Sequence, residues 1–370
     1  MKIEKFELER LLSQYENTVK YNLTESGIHP FTLEELLSEE EIKKLVSLRM
    51  GYGQANGSIE LREAVSRLYS GADLDNVLVT NGTAEANFIN IWCNLDPGDE
   101  LILMVPNYMQ MWGIARSLGI TVKPFHLREE LHWGPDLEEL KNLITPQTRM
   151  IAVCNPNNPT GAVLSEEAMK EIIRLAQDAD AWLYADEVYR GAELDGKETP
   201  SFYGLYDKAI VCCGLSKAYA LPGLRLGWLV GPKKTIEECW ASHDYTAISS
   251  ALLSNHVAAL ALQPERREKI LRRNRQIISE NLAVLQEWVR KHDKVFSFIP
   301  PRAGAIAFLK YNMKINSTEL STKLREEKSV FIAPGDCFMM DRYLRIGLGS
   351  EKEYLVAGLD LFDEFLAEIS

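Results

Sequence analysis

Residues 150–161 read MIAVCNPNNPTG, residues 182–189 read WLYADEVY and residues 209–217 read AIVCCGLSK. Each stretch opens on a short apolar run and closes on groups that hydrogen-bond or ionise. Runs of about five residues, rich in Val, Ile and Leu, are the signature of strands buried on both faces of a parallel sheet covered by helices. The pattern recurs outward at 77–80, 101–105 and 226–230. The intervening segments carry apolar residues at helical spacing, as with Met169, Ile172, Ile173 and Ala176 inside 166–177. After Gly231 the pattern changes. A long helix is expected over 265–291, with Leu271, Ile278, Leu282, Leu285 and Val289 on one stripe. Short strands are expected at 295–299, 305–309, 330–333 and 343–348. The fold class is therefore α/β: a large domain at 46–260 with a mostly parallel sheet flanked by helices, plus a smaller α+β domain at 261–370 onto which residues 1–45 pack.

Bulk properties agree. The 370 residues exceed one ordinary domain, and 46% hydrophobic with 25% charged residues is a globular composition. A formal net charge of −12 argues against nucleic acid as a partner. The one basic run, Arg266 to Arg275, is interleaved with Glu265 and Glu268 and reads as a solvated helix face. Six cysteines form no C-x-x-C pair, and several sit in apolar runs, so a reduced, cytoplasmic protein is expected. No stretch reads as a secretion signal or a membrane span. The six histidines show no metal-ligand spacing, so no metal site is expected. Gly51-Tyr52-Gly53 follows a helical segment and lacks the G-x-G-x-x-G spacing of a dinucleotide site.

In open α/β sheets, ligands bind beyond the carboxyl ends of the strands, so the residues just after each apolar run are the candidates for a site. After 77–80 come Gly82, Thr83 and Ala84, opening a helix whose free N–H groups suit a phosphate; an ordinary N-cap by Thr83 accounts for the same residues. Tyr108 follows 101–105 and Asn158 follows 150–154. Asp186 closes its run and needs a cation, which Lys217 could supply as a plain salt bridge. Ser216 and Lys217 follow 209–213, and Arg225 precedes 226–230. Pyridoxal 5′-phosphate uses all of these: a helix N-terminus and an Arg for phosphate, an aromatic face, an amide for the phenolic oxygen, a carboxylate for the ring nitrogen and a lysine for the aldehyde.

The motifs NPNNPTG (155–161), DEVY (186–189), SKAYALPGLRLGW (216–228), YLRIGLG (343–349) and YGQANGSIELREA (52–64) resemble those of class I/II aminotransferases, fold-type-I pyridoxal-phosphate enzymes, over nearly the whole chain. The resemblance implies that Lys217 is the Schiff-base lysine and that Asp186 pairs with the pyridine nitrogen. It implies that Asn158 and Tyr189 bind the phenolic oxygen and Tyr108 stacks on the ring. Gly82, Thr83, Ala84, Ser216 and Arg225 would hold the phosphate, with Tyr52 reaching the phosphate of a partner in a homodimer. Arg345, alternating against Leu344 and Ile346, would bind the substrate carboxylate beside Asn158; an arginine on a surface edge strand is the alternative. The implied reaction moves an amino group between an α-amino acid and a 2-oxo acid, with Lys217 as general base, its pKa lowered by the ring and Arg225. The same scaffold also serves C–S β-lyases, decarboxylases and capreomycidine-synthase-like cyclases. A transcription regulator built on this domain is disfavoured, because only about fifty residues precede Tyr52. Two departures stand out. Gly214 replaces the usual Ser, so Gly214→Ser is expected to tighten cofactor binding. Residues 22–27, NLTESG, lack the common Gly-Glu-Pro segment beside the substrate.

Overall fold

A computed structural model describes residues 3–369. The large sheet contains β1 (Val77–Thr80), β2 (Glu100–Val105), β3 (Thr121–Arg128), β4 (Gly134–Pro135), β5 (Thr148–Cys154), β6 (Trp182–Asp186), β7 (Ala209–Gly214) and β8 (Gly227–Val230). Their spatial order is β1-β8-β7-β6-β5-β2-β3-β4. The centre is parallel, β3-β2-β5-β6-β7, and the antiparallel pairings lie toward the edges, where β8 joins β7 to β1 and β4 closes on β3. All six expected runs are strands. The long β3 and the two-residue β4 lie outside that expectation. β3 carries Lys123, Pro124, His126 and Arg128 among its apolar residues and is only partly buried, so it lacks the continuous apolar run that marks a central strand.

The second sheet contains β9 (Phe296–Ser297), β10 (Ile306–Tyr311), β11 (Ala333–Pro334) and β12 (Tyr343–Gly347), in the order β9-β10-β12-β11. β12 is therefore central, with Arg345 opposite Phe308 on one side and Ala333 on the other. Arg345 is 1% exposed, which corrects the surface-edge alternative. The run expected at 330–333 divides: Val330–Phe331 pairs in parallel with Tyr21–Asn22, and only Ala333–Pro334 joins the larger sheet. Helix Pro264–Lys291 buries Leu271, Ile278, Leu282, Leu285 and Val289, as the stripe predicts. Its basic face is less free than expected. Arg266 reaches Glu41 at 2.8 Å and Arg267 reaches Glu198 at 2.8 Å, so these side chains tie the helix to distant segments.

The N-terminal segment is bound to the second sheet along its backbone. Leu23 donates to Phe331 at 2.8 Å, and Gly347 donates to Leu23 at 2.8 Å. A Cβ on Gly347 would collide with the Glu25 carbonyl, and one on Gly349 with the Gly27 carbonyl. These two glycines let the 25–27 turn lie directly on the end of β12. Among the described residues no helix is long and apolar enough to cross a membrane.

Candidate active site

The carboxyl ends of the central strands are in register, Cys154 beside Asp186 and Asp186 beside Cys212. Above them is a cavity of about 510 Å³ lined by Thr83, Ala84, Tyr108, Asn158, Asp186, Tyr189, Ser216, Lys217, Arg225 and Arg345. These ten come from segments spread over most of the chain. Two other expected residues stand differently. Gly82 borders the cavity as the cap of helix Thr83–Asn94. Tyr52 is 91% exposed and does not line the cavity of its own chain.

The helix start has the form an anion site requires. Gly82 takes φ 82°, a left-handed value that favours glycine, and no side chain among the described residues caps the helix. The Thr83-cap alternative is thereby corrected: the first N–H groups are left free. Arg225 completes the cradle, donating to Ser216 Oγ at 3.3 Å; a Cβ on Gly82 would sit 2.8 Å from Arg225 Nη2. Beneath it, Gly214 and Gly227 face each other across β7 and β8. A Cβ at Gly214 would lie 2.9 Å from the Leu226 carbonyl, and one at Gly227 would lie 2.6 Å from Thr83 N. Both neighbours are backbone and cannot swing aside. The added atoms of Gly214→Ser would meet the strand that supports the helix start, which argues against the expected tightening of cofactor binding.

The NPNNPTG turn divides its asparagines between structure and site. Asn155 Oδ1 accepts from Leu164 N at 3.0 Å. Asn157 accepts from Thr160 Oγ1 at 2.7 Å and donates to Pro106 O at 3.1 Å. Asn158 alone reaches the cavity, where its Oδ1 accepts from Arg345 Nη1 at 3.0 Å and its amide nitrogen stays available to donate. Arg345 Nη2 donates to Thr24 O at 2.8 Å, whereas its buried Nε has no partner among the described residues. A guanidinium on the wall of a cavity suits an anionic ligand.

Asp186 is 5% exposed, and its Oδ1 accepts from Val188 N at 3.0 Å. Burial raises its pKa to about 6. The plain Asp186–Lys217 salt bridge is absent: Lys217 Nζ instead lies 3.3 Å from Glu25 Oε1 and 2.9 Å from Ser26 Oγ. Asp186 thus keeps a buried carboxylate aimed at the cavity with no cation paired to it among the described residues, which fits a cofactor ring nitrogen. Burial by itself pulls the Lys217 ammonium down, but the charge and hydrogen bond of Glu25, with Tyr189, outweigh it and the net direction is up. The expected lowering by Arg225 is corrected, since Arg225 turns to Ser216 and Pro222 and the opposing cation is Arg345.

Two rings frame the site. Tyr189 Oη donates to Ser26 O at 3.2 Å. Tyr108 Oη donates to Glu9 Oε1 at 2.8 Å, and Phe6 packs edge-on against its ring at 4.8 Å between centroids. Glu9, Glu25 and Ser26 are absent from the sequence-based expectations. No spacing signal marks them, because Glu25 meets a lysine 192 positions away.

A parallel sheet with an uncapped helix start, an arginine, a buried carboxylate and a lysine at its carboxyl edge defines a fold-type-I enzyme built around an anionic, carbonyl-bearing cofactor. The chain belongs to the aminotransferase class I and II family, whose model matches residues 21–358. The crystal structure of a PLP-dependent aminotransferase from Streptococcus suis superposes with a TM-score of 0.94 at 36% identity, covering 100% of this chain and 99% of that one. An aspartate aminotransferase of Thermotoga maritima is 27% identical over 353 residues, 93% of this chain and 91% of the relative. A capreomycidine synthase of Streptomyces vinaceus is 28% identical over 351 residues, 94% and 90% of the two chains.

Proposed function

We propose that the chain is a pyridoxal-phosphate-dependent aminotransferase that moves an amino group from an α-amino acid to a 2-oxo acid, acting as a homodimer with Lys217 as its covalent attachment point. The observation that carries this reading is the convergence on one cavity of the uncapped helix start with Arg225, the unpaired carboxylate of Asp186 and the amine of Lys217. When bound, pyridoxal phosphate supplies an aldehyde that condenses with amines and a pyridinium ring that accepts the electron pair released at the α-carbon.

The residues divide the remaining work. The Thr83 and Ala84 N–H groups, Ser216 and Arg225 bind the phosphate. Asp186 holds a proton on the ring nitrogen, and its rise to about 6 reports how strongly it calls for a cationic partner. The Asn158 amide and Tyr189 Oη donate to the phenolic oxygen, while Tyr108 offers its face to the ring. Arg345 clamps the substrate α-carboxylate with Asn158 beside it. That clamp fixes which bond at the α-carbon breaks, and Lys217 Nζ carries the proton away as general base. Six unpaired cysteines, five of them buried, fit a reduced, cytoplasmic setting.

Borohydride reduction of the cofactor-loaded protein, digestion and mass spectrometry test the attachment. The label is expected on Lys217, and a label elsewhere or none overturns the reading. The similarity to a capreomycidine synthase favours one rival, a cyclase or another reaction of the same scaffold. A ¹⁵N-labelled amino donor separates them. Label recovered in a second amino acid made from an added 2-oxo acid supports transamination, whereas label retained in a cyclic product or released as ammonia supports the rival.

A further inference from the structure

Two short helices of this chain open on a complete capping box. Thr32 accepts from Glu35 N while Glu35 accepts from Thr32 N, and Ser38 and Glu41 do the same. Helix Thr83–Asn94 opens on half of one. Its cap is Gly82, which has no side chain to offer to the N–H groups of the first turn. The other half is present, displaced by one residue. Glu85 Oε2 accepts from Asn81 N at 2.6 Å and from Asn81 Nδ2 at 3.1 Å. Thr80 Oγ1 donates to Gly82 O at 2.9 Å and closes the turn. The carboxylate thus fixes the approach to the helix and leaves the helix's own donors for a ligand.

A separate set of contacts holds Glu85 itself. Its side chain is 11% exposed, Oε1 accepts from Thr246 Oγ1 at 2.6 Å, and Oε2 lies 3.3 Å from Nε2 of the fully buried His243. Thr246 is tied in turn to the end of helix Lys233–His243, since its N–H donates to His243 O at 3.0 Å. Burial opposes the charge of Glu85, but the contacts with His243, Thr246 and Asn81 outweigh it and bring its pKa down to about 2. An ionised acceptor holds the Asn81 donors more firmly than a neutral one.

We infer that Glu85 is a positioning residue for the cofactor phosphate: it holds the Asn81–Gly82 turn in the shape that leaves the Thr83 and Ala84 N–H groups unclaimed beside Arg225. This rests on the aminotransferase reading, which assigns that helix start to phosphate. Glu85 touches neither phosphate nor substrate in this role; it acts through Asn81, braced by Thr246 and His243.

The test uses the full-length chain, stripped of cofactor, and compares pyridoxal phosphate with pyridoxal, which lacks the phosphate. The ratio of their dissociation constants isolates the phosphate contribution, because both carry the aldehyde. Glu85→Ala is expected to lower that ratio about fivefold or more, the scale of one helix-cap contact. Glu85→Gln keeps an acceptor for the Asn81 N–H and is expected to fall between Ala and wild type. Inorganic phosphate, competing with pyridoxal phosphate, is expected to lose affinity in the same order. A merely structural role would weaken pyridoxal phosphate and pyridoxal alike, and that result, or an unchanged or raised ratio, overturns the inference. Should Glu85→Ala fail to fold, the ratio is read in Glu85→Gln and Thr246→Val, and no drop in either overturns it. If borohydride labels Lys217 but the ratio does not move, this inference falls and the aminotransferase reading stands. If no cofactor attaches to Lys217, both fall.

Discussion

Asp186 and Lys217 carry the largest consequences of single side chains. Lys217→Ala is expected to retain the fold, because Lys217 is one flexible side chain at the cavity wall, and to reduce turnover to background; the far-UV spectrum and an amino-transfer assay check the two halves. Asp186 gives a pH signature. Its folded pKa of about 6 exceeds the unfolded value of about 3.9, so the native state holds the proton more tightly between them. Asp186 therefore costs the native state little at low pH, and the penalty grows as pH rises from about 4 through about 6. In cofactor-free protein, Asp186→Asn is expected to match wild type near pH 4 and to exceed it at pH 7.5, by on the order of 1–3 kcal/mol. Denaturant titrations at the two pH values check this. Loading the cofactor is expected to reverse the order at pH 7.5, because the carboxylate then gains its cation. Both residues were legible in the sequence as groups that a buried strand end must satisfy, although a plain salt bridge between them accounted for the same pattern until the structure set Lys217 against Glu25. The Glu25 contact was not, because the resemblance placed 22–27 beside the substrate but no local pattern pairs Glu25 with residue 217.

At the scale of elements, glycine governs how closely backbone segments approach. Helix Thr83–Asn94 sits on the Gly214–Gly227 pair, and the 25–27 turn sits on Gly347 and Gly349. Gly227→Ala is expected to cost about 1–3 kcal/mol by overpacking against Thr83 N and to weaken cofactor binding, read by thermal melts and cofactor titration. Gly214→Ser is expected to act in the same direction, because its Cβ meets the Leu226 carbonyl. An unchanged or tighter cofactor affinity for either variant would show that the helix start can shift without loss. Element type and position were readable for the buried strands because an apolar run on both faces has only one stable setting. β3 and the division of 330–334 were not, since a partly buried strand mixes its pattern and a two-residue pairing leaves no periodicity.

At the scale of the molecule, the five most exposed large apolar side chains among the described residues fall in two segments. Val46, Met50 and Tyr52 are 81%, 72% and 91% exposed, and Tyr245 and Ile248 are 83% and 56% exposed. The segments are neighbours, since a Cβ on Gly53 would touch Leu252 at 3.8 Å. Such a surface is suited to a second copy of the chain. Sedimentation equilibrium is expected to return twice the chain mass. Tyr52→Phe is expected to loosen pyridoxal phosphate about tenfold, as loss of one charge-assisted hydrogen bond does, although Tyr52 lies outside its own cavity. A monomer that binds the cofactor with full affinity would overturn both. By itself, the sequence determined the buried strands, the order of polar groups at their ends and the cofactor those groups suit, because burial period and the cost of an unpaired charge act locally along the chain. The tertiary structure decided that Lys217 faces Glu25 rather than Asp186, that a glycine pair seats the helix start, and that the N-terminal helix brings carboxylates to the cavity. Those contacts join residues far apart in the chain, and only packing selects among the partners that local chemistry permits.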